Sequence, residues 1–338
     1  MFSNEKHLFY VTNFISFNNY LTIIKEKKLN IEDCIFYSPR KINSLISLKK
    51  ELRFVAIESI QLIESKRQII KNRLKFYSFN KKTNCLLNHK FYNLYTPHLI
   101  NYRERLLLLN KKCIGYYFVE EGMPAYRSDF KIHPDQNVTS LKFAKVHNLM
   151  PLGIDYSKYK GSFGTNNYAY NWMPNKNKID LNFNHKQCDK ISLSDKYNNI
   201  LGIDSPNSFS DFSVYLKCIN ALLLEVFVDR KMIIYLKFHP DYSVDFKLKN
   251  EIIQIFKSYY QKYEILKNDF FIEQYVQTRN NVKFYNINSS LIIYVLISGN
   301  EVFQFGSKFK KDDKKLEYSI NLIQDTLRQM QLNLTKIY

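Results

Sequence analysis

The chain has 338 residues, with 50 Lys+Arg against 31 Asp+Glu for a formal net charge of +19, and is 45% hydrophobic and 16% aromatic. That length suits two compact domains of about 150 residues each, and the apolar content excludes a disordered chain. The excess of positive charge points to an anionic partner or surface.

In chain order, Leu8 to Val11, Cys34 to Tyr37 and Phe54 to Ile57 are short apolar runs that predict strands. Between them, Phe17 to Lys28 and Lys41 to Leu52 carry apolar residues at helical spacing. Tyr102 to Lys112 reads as a helix leading into a strand over Cys113 to Val119. The stretch from Ala125 to Tyr197 is rich in Asn, Tyr and Lys with little periodicity, and reads as loops and short elements around a cleft or linker. A second cycle follows: a strand over Asn199 to Ile203, a helix over Phe209 to Val228, a strand over Met232 to Phe238 and a helix over Phe246 to Glu264. It closes with a strand over Val282 to Ile287, a short helix over Ser290 to Ile297, a strand over Val302 to Phe305 and an amphipathic helix over Leu316 to Leu332. Alternation of this kind predicts an α/β fold with parallel sheets covered by helices. The expected division is an N-terminal domain over 1–190, a C-terminal domain over 191–320 and a helical tail over 321–338 that packs back on the first domain.

Several classes drop out on sequence alone. No apolar run approaches the ~18 to 20 residues of a membrane span, and Met1 to Tyr10 carries Glu5, Lys6 and His7 before any apolar stretch, unlike a signal peptide. The cysteines, Cys34, Cys85, Cys113, Cys188 and Cys218, lie far apart with no zinc spacing, so neither a metal site nor a disulfide framework is expected, and the compartment is expected to be the cytoplasm. No GxGxxG or GxxxxGK[ST] fingerprint occurs. There is no basic helix of recognition type and no RNP-like strand, so nucleic acid is not the expected partner.

Three motifs each follow a predicted strand, where ligands of open parallel sheets bind. The first is Glu120-Glu121-Gly122. A carboxylate in a partly desolvated cleft has a raised pKa and can act as a general base, while the glycine lets the backbone turn; a charged turn at a strand end is the plainer alternative. The second is His239-Pro240, preceded by Lys237: proline fixes the chain's exit, and a histidine there can bind a phosphate or protonate a leaving group. A second His-Pro, His133-Pro134, follows no apolar strand. The third is Ser289-Ser290, opening a helix. Ser289 suits an N-cap, and two hydroxyls at a helix start also suit a phosphate. Asp204-Ser205-Pro206-Asn207-Ser208 repeats that arrangement, which adds Ser205. Tyr126, Tyr168, Tyr170 and Trp172 lie in the irregular central region, where acceptor contacts would fit.

An acidic-acidic-Gly motif, a His-Pro motif and a Ser-Ser motif in this order resemble the bacterial sialyltransferases of GT-B type. These comprise lipooligosaccharide sialyltransferases, capsule polysialyltransferases and multifunctional enzymes. The resemblance spans roughly Cys113 to Gly306 and implies two Rossmann-like domains whose parallel sheets face a central cleft. It implies that Glu121 is the base, supported by Glu120 or exchanged for it, that His239 contacts the CMP phosphate and assists its departure, and that Ser289 and Ser290 bind the same phosphate; Pro240 belongs to the His-Pro motif, Lys237 is a further candidate outside the firm part of that motif, and Ser205 is a phosphate candidate from the residue pattern alone. The implied reaction is inverting transfer of sialic acid from CMP-Neu5Ac, with no metal or other cofactor, to a glycan or glycolipid such as lipooligosaccharide or capsule. The multifunctional enzymes have Gly before their His-Pro, where this chain has Phe238, which favours the other two branches. Polysialylation and a different donor such as CMP-Kdo are the alternatives; a diphosphate donor predicts more basic or glycine-rich contacts than Ser289-Ser290 offers. Lys25 to Lys28 and Lys308 to Lys311 are expected either to be solvated or to give peripheral contact with an anionic inner-membrane face.

Overall fold

The computed structural model describes residues 5–38, 54–55, 69–99, 102–126, 157–171, 178–180, 199–243, 245–267, 270, 272–334 and 336–337. The predicted helix over Lys41 to Leu52, and His133, Trp172 and Cys188, lie outside the described residues. The chain divides into two compact units, Met1–Phe183 and Asn184–Tyr338.

In the first unit the strands are β1 (Lys6–Tyr10), β2 (Cys34–Tyr37), β3 (Phe54–Val55), β4 (Tyr92–Thr96), β5 (Cys113–Val119), β6 (Tyr159–Gly164) and β7 (Lys178–Asp180). They form one sheet in the order β3-β2-β1-β4-β5-β6-β7, and every pairing is parallel. The winding direction reverses between β1 and β4, which makes that gap the topological switch point where Rossmann-like sheets open a crevice. Helix α1 (Phe14–Glu26) starts at Asn13, whose side chain accepts the Ser16 N–H (2.9 Å) while the Ser16 hydroxyl accepts the Asn13 N–H (3.3 Å). Phe17, Tyr20 and Ile23 recur at three-residue spacing and bury against Phe9, Phe36, Tyr95, Val119 and Phe163 of the sheet. Each such side chain contributes about 1.5–3 kcal/mol on burial, so α1 is held by its apolar face more than by its cap.

Two elements of this unit are not predicted by the pattern: helix α2 (Ile69–Leu86), whose apolar residues are diluted by Lys and Asn, and strand β4, interrupted by Asn93 and ended by Thr96. Strands β6 and β7 are short elements in the central stretch read as loops and short elements, where Gly161, Gly164 and short polar runs leave their bounds unmarked. Helix α3 (Tyr102–Leu109) and β5 appear as expected. Pairing steps from Tyr92↔Cys113 to Asn93↔Gly115 and from Tyr116↔Tyr159 to Tyr117↔Gly161, so Ile114 of β5 and Lys160 of β6 are inserted as bulges. Lys160 Nζ donates to Asn93 Oδ1 (2.7 Å), tying the two irregularities together.

The second unit repeats the plan. Strands β8 (Asn199–Ile203), β9 (Ile234–Phe238), β10 (Tyr263–Ile265), β11 (Lys283–Asn286), β12 (Glu301–Gln304) and β13 (Lys336–Ile337) pair in parallel in the order β10-β9-β8-β11-β12-β13. Its switch point lies between β8 and β11. The helices are α4 (Phe212–Glu225), α5 (Phe246–Ser258), α6 (Ile272–Gln277), α7 (Ile292–Ile297) and α8 (Lys314–Gln329). The expected long helix over Phe246 to Glu264 ends at Ser258; Tyr260 takes a left-handed φ of 53°, and β10 follows. Helix α8 begins at Lys314, and its Leu316 and Ile320 belong to the core of this unit together with Phe227, Leu236 and Phe256. Among the described residues no helix is long and apolar enough to cross a membrane.

Candidate active site

In the first unit the acidic pair follows directly on β5. Successive side chains of a strand point to opposite sides, and the two glutamates part accordingly. Glu120 is fully buried. Its Oε1 accepts from the Tyr126 phenol, and its Oε2 accepts from the Thr165 N–H (2.5 Å) and hydroxyl (2.8 Å). Its backbone is equally committed: the N–H donates to Phe163 O (3.0 Å) and the carbonyl accepts from Asn19 Nδ2 (2.7 Å). A carboxylate so enclosed braces the loop after β6 against the end of β5.

Glu121 differs. Its side chain is 15% exposed, and its Oε2 lies 3.6 Å from His98 Nε2. His98 follows β4, and its Nδ1 lies 2.9 Å from Oε2 of Glu104 on α3, a carboxylate with no exposure. Burial works against the His98 imidazolium, but the charge and hydrogen bond of Glu104 and the charge of Glu121 outweigh it, so the His98 pKa is raised. The loop bearing His98 is fixed on three sides: Thr96 Oγ1 donates to His98 O (2.8 Å), Tyr170 Oη to Pro97 O (3.0 Å) and Arg105 Nε to Leu99 O (2.7 Å). Asn13 Nδ2 donates to the Glu121 carbonyl (3.3 Å), so the ends of β1, β4, β5 and β6 all reach the acidic pair. Gly122 has φ of +144°, and the space around its Cβ position is open, so glycine serves backbone freedom there rather than close packing. Tyr126 and Tyr170, candidates for acceptor contact, are buried and hydrogen-bonded within the unit.

In the second unit three neighbouring strand ends carry the remaining candidates. His239 ends β9, 42% exposed on its side chain, and its N–H donates to Ile203 O of β8 (2.9 Å). Pro240 opens the 3-10 turn Pro240–Ser243. His239 Nδ1 lies 3.3 Å from both the Asp241 N–H and Asp241 Oδ2. The same Oδ2 accepts from Ser205 Oγ (2.5 Å) and Asn207 Nδ2 (3.4 Å), so Asp241 joins the ends of β9 and β8. Asp204, buried beside Ser205, accepts the Asn288 N–H on Oδ2 (3.0 Å) and so joins β8 to β11 across the switch point. Burial raises its pKa to about 7, against the pull of backbone N–H groups from Asn288 and Ile287. Asn288 is nearly buried, and its Oδ1 has no hydrogen-bond partner among the described residues. A Cβ at Gly306 would sit 2.2 Å from the Ile287 carbonyl oxygen, so only glycine lets the chain after β12 close on this loop.

Ser289 and Ser290 follow β11 as expected, but α7 starts at Ile292, two residues later than predicted. Its cap position is Leu291, with no side-chain cap bond, and Ser289 Oγ accepts the Leu291 N–H (3.3 Å). The Ser289 N–H in turn donates to Asn286 Oδ1 (3.3 Å). Lys237 turns to the far edge: its Nζ donates to Lys267 O (2.9 Å), and its charge acts on Glu273. Thus Ser205 and His239 share one aspartate, Ser289 and Ser290 stand one strand further along, and Lys237 is engaged elsewhere. His98, Glu104 and Asp241 are functional candidates that the sequence motifs do not single out, and Asp204 enters the sequence reading only as the first residue of the stretch that adds Ser205. Among the described residues no group of three His, Cys, Asp or Glu side chains is placed to hold a metal ion.

No protein-family model and no curated protein matches the sequence. Solved structures do match in fold. The UDP-GlcNAc 2-epimerase from Methanocaldococcus jannaschii in complex with UDP-GlcNAc and UDP is 12% identical with a TM-score of 0.52, the match covering 94% of this chain and 86% of that one. The UDP-GlcNAc 2-epimerase from Neisseria meningitidis bound to UDP-GlcNAc is 11% identical with a TM-score of 0.51, covering 88% of this chain and 82% of that one. At such identity the likeness is one of fold: the chain has two Rossmann-like α/β units of the GT-B-like kind.

Proposed function

We propose that this chain is an inverting glycosyltransferase that moves sialic acid from CMP-Neu5Ac to a hydroxyl of a cell-surface glycan. The observation that carries the reading is the division of labour between strand ends: a part-exposed carboxylate, Glu121, in the first unit, and an exposed histidine beside hydroxyls, His239 with Ser205, in the second. The motif order adds to it.

The chemistry asks for these groups. The departing CMP carries one phosphate, and charge grows on it as the bond to the anomeric carbon breaks. A histidine and serine hydroxyls stabilise that charge where it develops. One phosphate needs less neutralisation than two, so the proposal includes no metal. Glu121 takes the proton of the acceptor hydroxyl, and attack from the face opposite the phosphate inverts the configuration. Glu120, enclosed by Tyr126 and Thr165, keeps the loop in place.

A second reading, a UDP-sugar donor, is favoured by the nucleotide sugar bound in the two similar structures. A panel of CMP-Neu5Ac, CMP-Kdo and UDP-GlcNAc separates the readings by the nucleotide released. We expect CMP from CMP-Neu5Ac, a loss of at least about 100-fold in Glu121→Gln with CMP-induced thermal stabilisation unchanged, and loss of both turnover and stabilisation in His239→Ala. Release of UDP alone, of CMP from CMP-Kdo alone, or of no nucleotide would overturn the sialyl assignment. Retention of activity in Glu121→Gln with loss in a folded Glu120→Gln would move the base to Glu120.

A further inference from the structure

Resting on Glu121 as the base, we propose that His98 is its positioning residue: held by buried Glu104, the imidazolium keeps the Glu121 carboxylate ionised and fixes where it points. The three side chains form a line across three elements. Glu104 Oε2 lies 2.9 Å from His98 Nδ1, and His98 Nε2 lies 3.6 Å from Glu121 Oε2. With Nδ1 committed to a carboxylate that has no exposure, the ring cannot turn, and Nε2–H faces Glu121. The contact to Glu121 is longer than a hydrogen bond. It acts as charge on charge, in surroundings dry enough for that to count.

The groups facing this line are largely neutral or acidic. Tyr10 on β1, Tyr20 on α1 and Tyr170 in the loop after β6 are buried phenols whose ionisation burial, before any neighbouring carboxylate, suppresses. Tyr37 on β2 is likewise held up by burial, to about 12. Glu120 is turned to the other side of the strand end, onto Tyr126 and Thr165, and Arg103 on α3 acts on Tyr10 and Tyr37. A carboxylate as little exposed as Glu121 is drawn toward its protonated form by the loss of water around it. His98 opposes this from the β4 side. Its own charge is secured in turn by Glu104, so the line is one of alternating sign: minus, plus, minus. During turnover the acceptor's proton ends on Glu121, and His98 keeps both of its own.

The test uses His98→Asn, whose side-chain N–H₂ stands in for Nδ1–H toward Glu104 and so spares the fold while removing the charge. Two measurements are made on the full chain. The first is the titration of the Glu121 carboxyl by ¹³C NMR, assigned by its loss in Glu121→Gln. The second is the pH profile of kcat/KM for donor and acceptor. We expect the Glu121 titration and the acid limb of the profile to move upward together by about one pH unit, with Tm close to that of the parent. Glu104→Gln should move both in the same direction, because it lets His98 lose its proton. An unchanged Glu121 titration in a folded His98→Asn protein would overturn the inference, whatever the enzyme transfers. A moved titration with no nucleotide released from any donor would leave the contact standing and defeat the functional reading instead.

Discussion

Asp204 shows how a single buried carboxyl ties structure to conditions. Its folded pKa of about 7 lies above the ordinary 3.8, so the folded state binds a proton that the unfolded chain releases. Its contribution to stability is therefore complete below about pH 4 and is lost as pH rises through 7. Asp204→Asn keeps an acceptor for the Asn288 N–H and removes the titration. Its Tm should exceed that of the parent by more at pH 8 than at pH 5, read by calorimetry; an equal difference at both would refute the burial argument. At this scale the sequence shows which residues are unusual, though not which of two adjacent ones is exposed. Glu120 and Glu121 read alike until Tyr126 and Thr165 close over one of them. His98 carries no motif at all. Its role depends on Glu104, six positions later, packing back on it from a helix.

At the scale of elements, helices are fixed at their starts by side chains that reach beyond them. Asp313 caps α8, accepting the N–H groups of Lys315 (2.8 Å) and Leu316 (3.1 Å) on Oδ1, while Oδ2 accepts those of Ser210 (2.6 Å) and Asp211 (2.9 Å) before α4. Desolvation pushes its pKa up, but those four donors prevail, and it is lowered below 3.8. The stabilisation is therefore present above about pH 4 and fades as pH falls through the folded value, opposite in sense to Asp204. Asp313→Ala should cost about 1–3 kcal/mol at pH 7 and progressively less toward pH 2, measured by urea unfolding. Elements made mostly of apolar residues, such as β5 and β8, are legible from the sequence. Those whose burial comes from their neighbours are not: β4 contains Asn93 and ends at Thr96, yet is buried throughout, and β10 is hidden because Tyr260 stops the preceding helix without a glycine.

For the whole molecule, alternation of strands and helices is enough to announce two α/β units, and their common winding places the candidate residues on carboxyl strand ends. The net charge of +19 also acts at this scale. It motivates a peripheral site of action on an anionic membrane face, although Lys308 already pairs with Glu225 and lends less to such a surface than its neighbours Lys310 and Lys311. Vesicles containing anionic lipid should retain the protein at about 0.05 M salt and release it near 0.3 M. Equal retention by neutral vesicles would remove electrostatics as the cause.

The bulge at Ile114 lies within the strand that ends in the acidic pair and that at Lys160 in the strand beside it, and between them they set its phase. Because strand side chains alternate, gaining or losing one residue in Cys113–Val119 would swap the two carboxylates, turning the one that faces His98 toward Tyr126 and Thr165 and the enclosed one away from them. Drift in this stretch should therefore proceed by replacement of residues and not by insertion or deletion, unless a second bulge restores the count.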